Sequence, residues 1–210
     1  APDGVVSRGP SDGPDHGGWM NGRPWVAGDN NVDPTLRWEH RHDWRKGSPD
    51  NPKISVEGGS ASQDDKIYGE LRFVLSGATA KFGSGDSGGL LRDLDDTGSG
   101  DNGLGQPGAE YDTFPLGDSS GTTAKDDCQS YDPHSPPSGV DCYAPHVAEG
   151  INAEAQNEFH CLTGQGNGAV ELLNEQSAII HGIGLLPTDI QLMASKGMRL
   201  IWSPRSNITL

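Results

Sequence analysis

The sequence predicts an α/β fold with long, irregular loops. After residue 142, short apolar segments alternate with helix-forming segments, at the spacing that is typical of βα units around a parallel sheet. The chain also contains 31 Gly and 15 Pro, and only 32% of its residues are hydrophobic. Compact domains usually have a higher apolar content, so we expect a modest core surrounded by long Gly- and Pro-rich loops.

The composition changes at about residue 66. Residues 1–66 are rich in Gly, Pro, Asp and charged side chains and show little periodicity, so we predict an irregular N-terminal segment. Residues 67–210 contain the periodic elements and form the predicted βα region. A length of 210 residues favours one domain overall.

The first periodic element is the segment IYGELRFVLSGATAKF at 67–82. Apolar residues recur at helical spacing from Ile67 to Leu75, and Gly77 is a suitable end for this helix. A strand should then begin within the last four residues of the segment. A second short strand is predicted from Tyr111 to Leu116, and long loops rich in Gly, Asp and Ser surround it.

Strands and helices alternate in the rest of the chain. The predicted elements are an apolar run at 142–148, a helix at 151–162, a strand with its loop at 177–185, and a strand at 198–202 followed by a loop. Between the last two strands, Thr188 can cap a helix that ends at Gly197.

The chain is strongly acidic. Its formal charge is −15, from 15 basic and 30 acidic residues. An acidic surface repels phosphate groups and anionic lipid, so we expect neither nucleic acid nor a membrane as a partner. No apolar run reaches the about 18 residues that a transmembrane helix needs, and no signal peptide is visible.

Three cysteines allow one disulfide and one free thiol. Cys128 and Cys142 flank the loop DDCQSYDPHSPPSGVDC and are the predicted pair, whereas Cys161, in the apolar segment FHCLTG, is predicted to be a buried thiol. Three free thiols in a reducing compartment are the alternative. Because a disulfide favours an oxidising compartment and the chain begins at Ala1, as a processed protein would, we expect a secreted or periplasmic location.

Two histidines and a glutamate are the candidate site. His146 and His181 fall at the ends of predicted strands, where an α/β barrel carries its functional residues. Neutral imidazole is a common ligand of zinc and also suits iron. Glu149, three residues after His146, can lie beside a metal without binding it and move a proton between water and a leaving group. One strand-end histidine is usually structural, but two on consecutive βα units strengthen the metal hypothesis.

The segments PHVAEGINAEAQNEF and AIIHGIGLLPTDIQLMASKGMRLIWSPRSNITL resemble the amidohydrolase superfamily, and most closely its cytosine deaminase-like and chlorohydrolase-like metal-dependent hydrolases. In that branch the fifth barrel strand ends in His-x-x-Glu, the sixth ends in His, and the seventh precedes a Ser-Pro-x-Ser-Asn loop. His146 with Glu149, His181, and residues 203–207 match these positions. The segments WEHRHDWRKG and GELRFVLSGAT also resemble bacterial members.

The resemblance implies a partial (β/α)8 TIM-type barrel, of which the chain contains strands one to seven only. It implies a divalent metal, with zinc first and iron as the alternative. The implied metal ligands are His146, His181 and His16. Glu149 is the implied catalytic acid–base, and Arg205 and Asn207 are expected to bind substrate. The implied reaction is hydrolysis of a C–N bond in a small molecule, such as an amide, a cyclic amidine or an aminated ring.

The chain departs from the family pattern at both ends. The first barrel strand of the family ends in a His-x-His pair, and here His16 aligns with the second histidine whereas Pro14 takes the place of the first. The literal pair His40 and His42 lies downstream, so we expect it to have a structural or supporting role. The family's eighth strand carries a metal-binding Asp, which has no counterpart before Leu210.

These departures leave two further interpretations open. The chain is alternatively a non-catalytic structural or self-assembling extracellular protein derived from the family. A second chain, or further copies of this one, would then complete the truncated barrel, since its open strand edges favour association. The remaining interpretation is an extracellular binding module whose acidic loops hold calcium, although no EF-hand-type loop is present.

Overall fold

The computed structural model describes residues 11–16, 35–49, 51–54, 61–85, 87–95 and 108–210, with the backbone alone for 11–16, 205, 208 and 209. Helices and parallel strands make up the regular structure of these residues, which confirms the predicted α/β class. Within these ranges, no helix has both the length and the apolar character needed to cross a membrane.

The chain divides into two compact units. Ala1–Arg23 and Glu57–Glu110 form the first unit, and Pro24–Val56 and Tyr111–Leu210 form the second. The single-domain organisation expected from the length stays a prediction.

Seven strands and five helices are described. In chain order they are β1 (Ser11–His16), α1 (Arg41–Lys46), α2 (Gln63–Leu75), β2 (Ala80–Ser84), β3 (Arg92–Asp93), β4 (Ala109–Asp112), β5 (Cys142–Val147), α3 (Ala153–Leu162), β6 (Ala178–His181), α4 (Pro187–Ser195), β7 (Arg199–Ile201) and α5 (Pro204–Thr209).

The first unit contains a parallel sheet in the order β1-β2-β3. The pairing of β1 with β2 shifts between Asp12 and Asp15, and Pro14 lies within that irregularity. Proline has no N–H to donate to a neighbouring strand, which confines it to sheet edges and irregular positions. Strand β1 accordingly lies at one edge of this sheet.

Helix α2 packs in the same unit and confirms the helix predicted from the apolar spacing. It begins earlier than predicted, at a capping box in which Ser62 and Asp65 each accept the other's backbone N–H through a side-chain oxygen. The chain leaves the helix through Gly77, whose φ of 94° is accessible to glycine and costly for other residues.

A buried lysine pairs with one carboxylate of this helix and with one of β3. The Nζ atom of Lys81 lies 3.7 Å from Glu70 and 3.9 Å from Asp93. Burial, together with the neighbouring Asp95, raises the pKa of Asp93 to about 7.

The second unit is built on the sheet order β4-β5-β6-β7, and the boundary between the units falls within β4. Strand β6 pairs in parallel with β5 on one side and with β7 on the other. Helix α3 connects β5 to β6, and α4 connects β6 to β7, as in consecutive βα units. Phe159, Leu162 and Ile179 are each at most 1% exposed and lie at the centre of the core.

Helix α3 confirms the predicted helix, which begins after an N-cap residue that ends the preceding loop. Asn152 is the N-cap, and its side chain accepts the backbone N–H of Ala155. Helix α4 was also predicted, but its N-cap is Leu186 and not Thr188. Pro187 opens the helix, and the Asp189 carboxylate accepts the Leu186 N–H at 2.9 Å.

One other boundary and two further elements differ from the prediction. Strand β4 ends at Asp112, before most of the segment predicted as a strand. Helix α1 lies in the segment predicted to be irregular, and α5 forms where a loop was predicted. Both helices are short and have no apolar repeat, so local periodicity carries no signal for them.

The predicted disulfide was wrong. Cys128 is bonded to Cys161, and Cys142 is a free, half-buried thiol at the start of β5. The loop that carries Cys128 packs against α3, where Asn157 donates to two of its carbonyl groups, at 3.0 and 2.9 Å. The buried thiol expected at Cys161 is therefore half of the bridge, because the helix brings it to the loop.

Candidate metal centre

The carboxyl ends of β5 and β6 bring the two predicted histidines together. His146 pairs in register with Ile180, and Val147 pairs with His181, so the two strands end side by side. Both imidazole rings are buried, and their centroids lie 5.3 Å apart. The geometry at this edge of the sheet is the one expected for functional residues of a parallel sheet.

Both strands end in an unusual backbone conformation. His181 has a φ of 79° and Ala148 has a φ of 57°, in the left-handed region that non-glycine residues rarely adopt. Such a conformation costs on the order of 1–3 kcal/mol per residue and concentrates at functional sites. The turn after β6 compensates in part, because Ile183 donates to the carbonyl of Ala148 at 2.9 Å.

A hydrogen bond fixes the protonation of the His146 ring. Its Nδ1 lies 3.1 Å from the backbone carbonyl oxygen of Asp112, at the end of β4. A carbonyl oxygen only accepts, so Nδ1 carries a proton, and in the neutral ring the lone pair is on Nε2. Histidines that bind a metal through Nε2 are typically held in this way.

The His181 ring is held in the same tautomer by Asn207 of helix α5. The Asn207 amide donates to the carbonyl oxygen of His181 at 2.9 Å, which turns its own oxygen towards Nδ1 of the ring, at 3.4 Å. His181 therefore also carries its proton on Nδ1 and has a lone pair on Nε2. Burial lowers the pKa of His181, although the Glu149 carboxylate opposes this shift, and the lowered pKa favours the neutral ring.

Glu149 lies beside this pair. Its Oε2 is 3.4 Å from Nε2 of His181, and the side chain is buried. The three residues singled out from the sequence thus lie within one small region at the ends of β5 and β6.

A second group of buried polar side chains adjoins the first. We call it the Arg41 network, and its members are His40, Arg41, His42, Asp118 and Glu158. The Arg41 guanidinium contacts Asp118 closely, lies 3.5 Å from Glu158, and donates to the carbonyl oxygen of Thr113 at 2.8 Å.

The charges within the Arg41 network stabilise one another. Burial alone would lower the pKa of Arg41, but the carboxylates of Glu158, Asp118 and Glu149 raise it above its ordinary value. Burial alone would raise the pKa of Asp118 and of Glu158, but Arg41 and the neighbouring histidines hold both below their ordinary values. The network therefore contains one guanidinium and two ionised carboxylates.

His40, His42 and Glu158 could hold a metal ion by distance, since one ligand atom from each lies within 4.8 Å of the others. Their hydrogen bonds oppose it. Nδ1 of His40 accepts the backbone N–H of His42, and Nδ1 of His42 faces the Arg45 guanidinium at 2.8 Å, which only donates. Both rings therefore carry their proton on Nε2, the atom that faces the carboxylates. In the pair His146 and His181, the Asp112 carbonyl and the Asn207 oxygen instead place the proton on Nδ1, although Nε2 of His181 also lies 3.4 Å from the Glu149 carboxylate.

The remaining predicted residues are placed only in part. His16 ends β1 in the first unit, but its side chain lies outside the described residues. Arg205 belongs to α5, and its side chain also lies outside them. Asn207 holds the His181 ring, as described above.

Sequence reasoning missed four residues of the site, namely Arg41, Asp112, Asp118 and Glu158. Each reaches the site from a different element or loop, so sequence spacing carried no signal for the group. The repeated histidines around Arg41 were a partial signal, and the structural or supporting role expected for His40 and His42 stays a prediction.

A shallow cavity of about 460 Å³ lies elsewhere, lined by residues 171–176 and Lys196. These residues precede β6 and β7, at the amino ends of the strands, where parallel sheets rarely carry function.

Comparison of the chain with models of protein families, with curated proteins and with solved structures gives no match.

Proposed function

We propose that this chain carries the site of a metal-dependent hydrolase of the amidohydrolase type, which cleaves C–N bonds in small molecules such as amides, cyclic amidines or aminated rings. The observation that supports this most is the pairing of His146 with His181 at neighbouring strand ends, 5.3 Å apart and in the same tautomer. Two buried imidazoles with lone pairs on Nε2 are suited to a divalent metal.

The metal would be held by His146 and His181, and zinc fits these ligands better than iron. When bound, it supplies Lewis acidity to the reaction. The Asp112 carbonyl and the Asn207 side chain keep the two rings in the orientation that binding requires.

Glu149 moves the proton in the proposed reaction. Its carboxylate takes a proton from the attacking water while the water oxygen bonds to the substrate carbon. It then gives that proton to the nitrogen as the C–N bond breaks, so the amine leaves neutral. We propose that Arg205 and Asn207 also contact the substrate, from the segment after β7.

The sheet of the second unit supports a barrel as the wider architecture. Strands β5, β6 and β7 are parallel and consecutive, and helices connect them. We propose that they belong to a partial (β/α)8 barrel. The disulfide supports a secreted or periplasmic location, because such bonds persist in oxidising compartments.

A non-catalytic, self-assembling protein is the second candidate function. Strand β7 lies at the edge of its sheet, and Leu200 and Trp202 are 46% and 56% exposed. An exposed apolar edge favours association with another chain or with further copies. Sedimentation velocity tests this candidate, which requires a defined oligomer of the wild type that the Leu200→Asp variant loses.

Hydrolysis by metal-loaded protein tests the primary proposal. We expect turnover of at least one member of a panel of amides, cyclic amidines and aminated heterocycles, and loss of turnover after treatment with a chelator. The Glu149→Gln variant should lose about 100-fold or more in kcat while keeping its metal. Glu171→Gln is the matched control, because that carboxylate is exposed and lies on the side of the amino ends of the strands, opposite the candidate site. Full metal loading without turnover on any substrate class contradicts the proposal.

A further inference from the structure

We propose that Arg41, acting with Asp118 and Glu158, is a positioning residue that holds Glu149 beside His181. This inference rests on the proposed function for its chemical meaning, because it concerns the residue that moves the proton. Arg41 itself touches none of the reacting groups. Its role would be to hold the short loop after β5, from Ala148 to Ile151.

The first step is a backbone clamp on both sides of Glu149. The N–H of Arg41 donates to the carbonyl oxygen of Glu149 at 2.9 Å, and the N–H of Ile151 donates to the carbonyl oxygen of Glu39 at 2.8 Å. His40 and Gly150 form an antiparallel bridge between these two bonds. The segment that begins α1 therefore pairs directly with the loop that carries Glu149.

Gly150 makes this pairing possible. A Cβ atom at this position would lie 2.5 Å from the carbonyl oxygen of Glu39 and 3.0 Å from the Cα of His40. The two backbones are therefore closer than any side chain at position 150 would allow, and the loop has little room to shift.

The second step is a side-chain clamp from the opposite direction. Oε2 of Glu158 accepts the N–H of Ala148 at 2.8 Å, and its Oε1 lies 3.5 Å from the Arg41 guanidinium. Ala148 is one of the two strand-end residues with a positive φ, so this bond holds a conformation that the residue alone would not keep. The Glu158 carboxylate thus holds the N–H of Ala148, and the Arg41 N–H holds the carbonyl oxygen of Glu149.

The Arg41 network is poorly suited to a purely stabilising role. Among the described residues, Nε of Arg41 and Oδ1 of Asp118 have no hydrogen-bond partner, and Nε2 of His40 lies 3.2 Å from Oε1 of Glu158 without good hydrogen-bond geometry. Buried ion pairs of this kind often stabilise a protein less than apolar side chains of the same size would, but they can specify one conformation. A role in placing the β5 loop accounts for the presence of these charges at this position.

Amide hydrogen exchange of the metal-loaded protein, combined with kinetics, tests the proposal. In Glu158→Gln and Arg41→Gln, exchange at residues 148–151 should accelerate by about 10-fold or more, with β6 and α4 unchanged. At equal metal content, kcat should fall by up to about 100-fold with little change in KM, as for a misplaced catalytic group. Arg41→Lys, which keeps the charge but not the planar donors, should give a smaller change in both.

Lys46→Gln is the matched control, since Lys46 is on the same helix but exposed. Unchanged exchange at 148–151 in Glu158→Gln or Arg41→Lys overturns the proposal, as does faster exchange throughout the second unit, which would mean general destabilisation. If Arg41→Gln does not fold, Arg41→Lys and Glu158→Gln decide the result. A metal-loaded wild type that hydrolyses nothing contradicts the proposed function alone, and the exchange pattern still decides whether Arg41 holds the loop.

Discussion

Replacing Gly150 with alanine would place a methyl group against the backbone of the segment that begins α1. Its Cβ would lie 2.5 Å from the carbonyl oxygen of Glu39 and 3.0 Å from the Cβ of Ala155, well inside normal contact distances. Overpacking of this kind costs about 1–3 kcal/mol. Because the φ of Gly150 is not positive, alanine also gains about 0.4–1 kcal/mol by restricting the unfolded chain.

The clash should exceed the gain, so we expect Gly150→Ala to destabilise the second unit by about 1–2 kcal/mol. For a protein of this size, that corresponds to a decrease in Tm of about 2–8 °C. Urea unfolding followed by tryptophan fluorescence measures the change, since Trp38 is buried in this unit. Gly88→Ala is the control, because a Cβ there meets no atom within 4 Å. A Gly150→Ala protein as stable as the wild type would refute the close approach of the two segments.

Three further predictions concern the disulfide and two titrating groups. Cys161→Ser opens a bridge that spans 33 residues and should cost about 4 kcal/mol in urea unfolding. Cys142→Ser should cost less than about 1 kcal/mol, and equal losses would contradict the pairing. Burial lowers the pKa of His42, so its contribution to stability is complete above about pH 6.5 and decreases as the pH falls. His42→Gln should weaken the dependence of the unfolding free energy on pH below about pH 6.5. Wild-type and variant stabilities that change in parallel with pH would contradict the lowered pKa of His42. Because the pKa of Asp93 is raised to about 7, its contribution is lost as the pH rises through that value. Asp93→Asn should therefore raise Tm more at pH 8 than at pH 5, and an equal effect at both would count against the shift.

The elements that sequence predicted correctly are those whose signal is local. Helix α3 has a cap at Asn152 and an apolar face through Phe159, and β6 is a continuous apolar run. The contacts between elements were not predictable in the same way. Cys161 pairs with Cys128 because α3 packs on a loop more than 30 residues away in sequence, and the distance along the chain favoured the wrong partner.

In the candidate site, too, some residues were found from local sequence patterns and others only from contacts between elements. His146, Glu149 and His181 were identified because parallel strands place their ends at one edge of a sheet. The groups that orient them come from elsewhere. The Asp112 carbonyl belongs to β4, and Asn207 belongs to a helix that sequence reasoning had assigned as a loop. The sequence had suggested Asn207 as a substrate-binding residue, but its contact with His181, like that of the Asp112 carbonyl with His146, is found only when the strands and loops are placed in space.

Cobalt(II) titration followed by visible absorption tests most directly which histidine pair binds a divalent metal. The proteins compared are the wild type, His146→Ala, His181→Ala and His40→Gln. We predict that the wild type and His40→Gln bind cobalt tightly, and that both alanine variants lose this binding, because the neutral rings of His146 and His181 have their lone pairs on Nε2, whereas His40 has its lone pair on Nδ1, where it accepts a hydrogen bond. Tight binding that persists in both alanine variants and disappears in His40→Gln would contradict the assignment of the metal to the ends of β5 and β6.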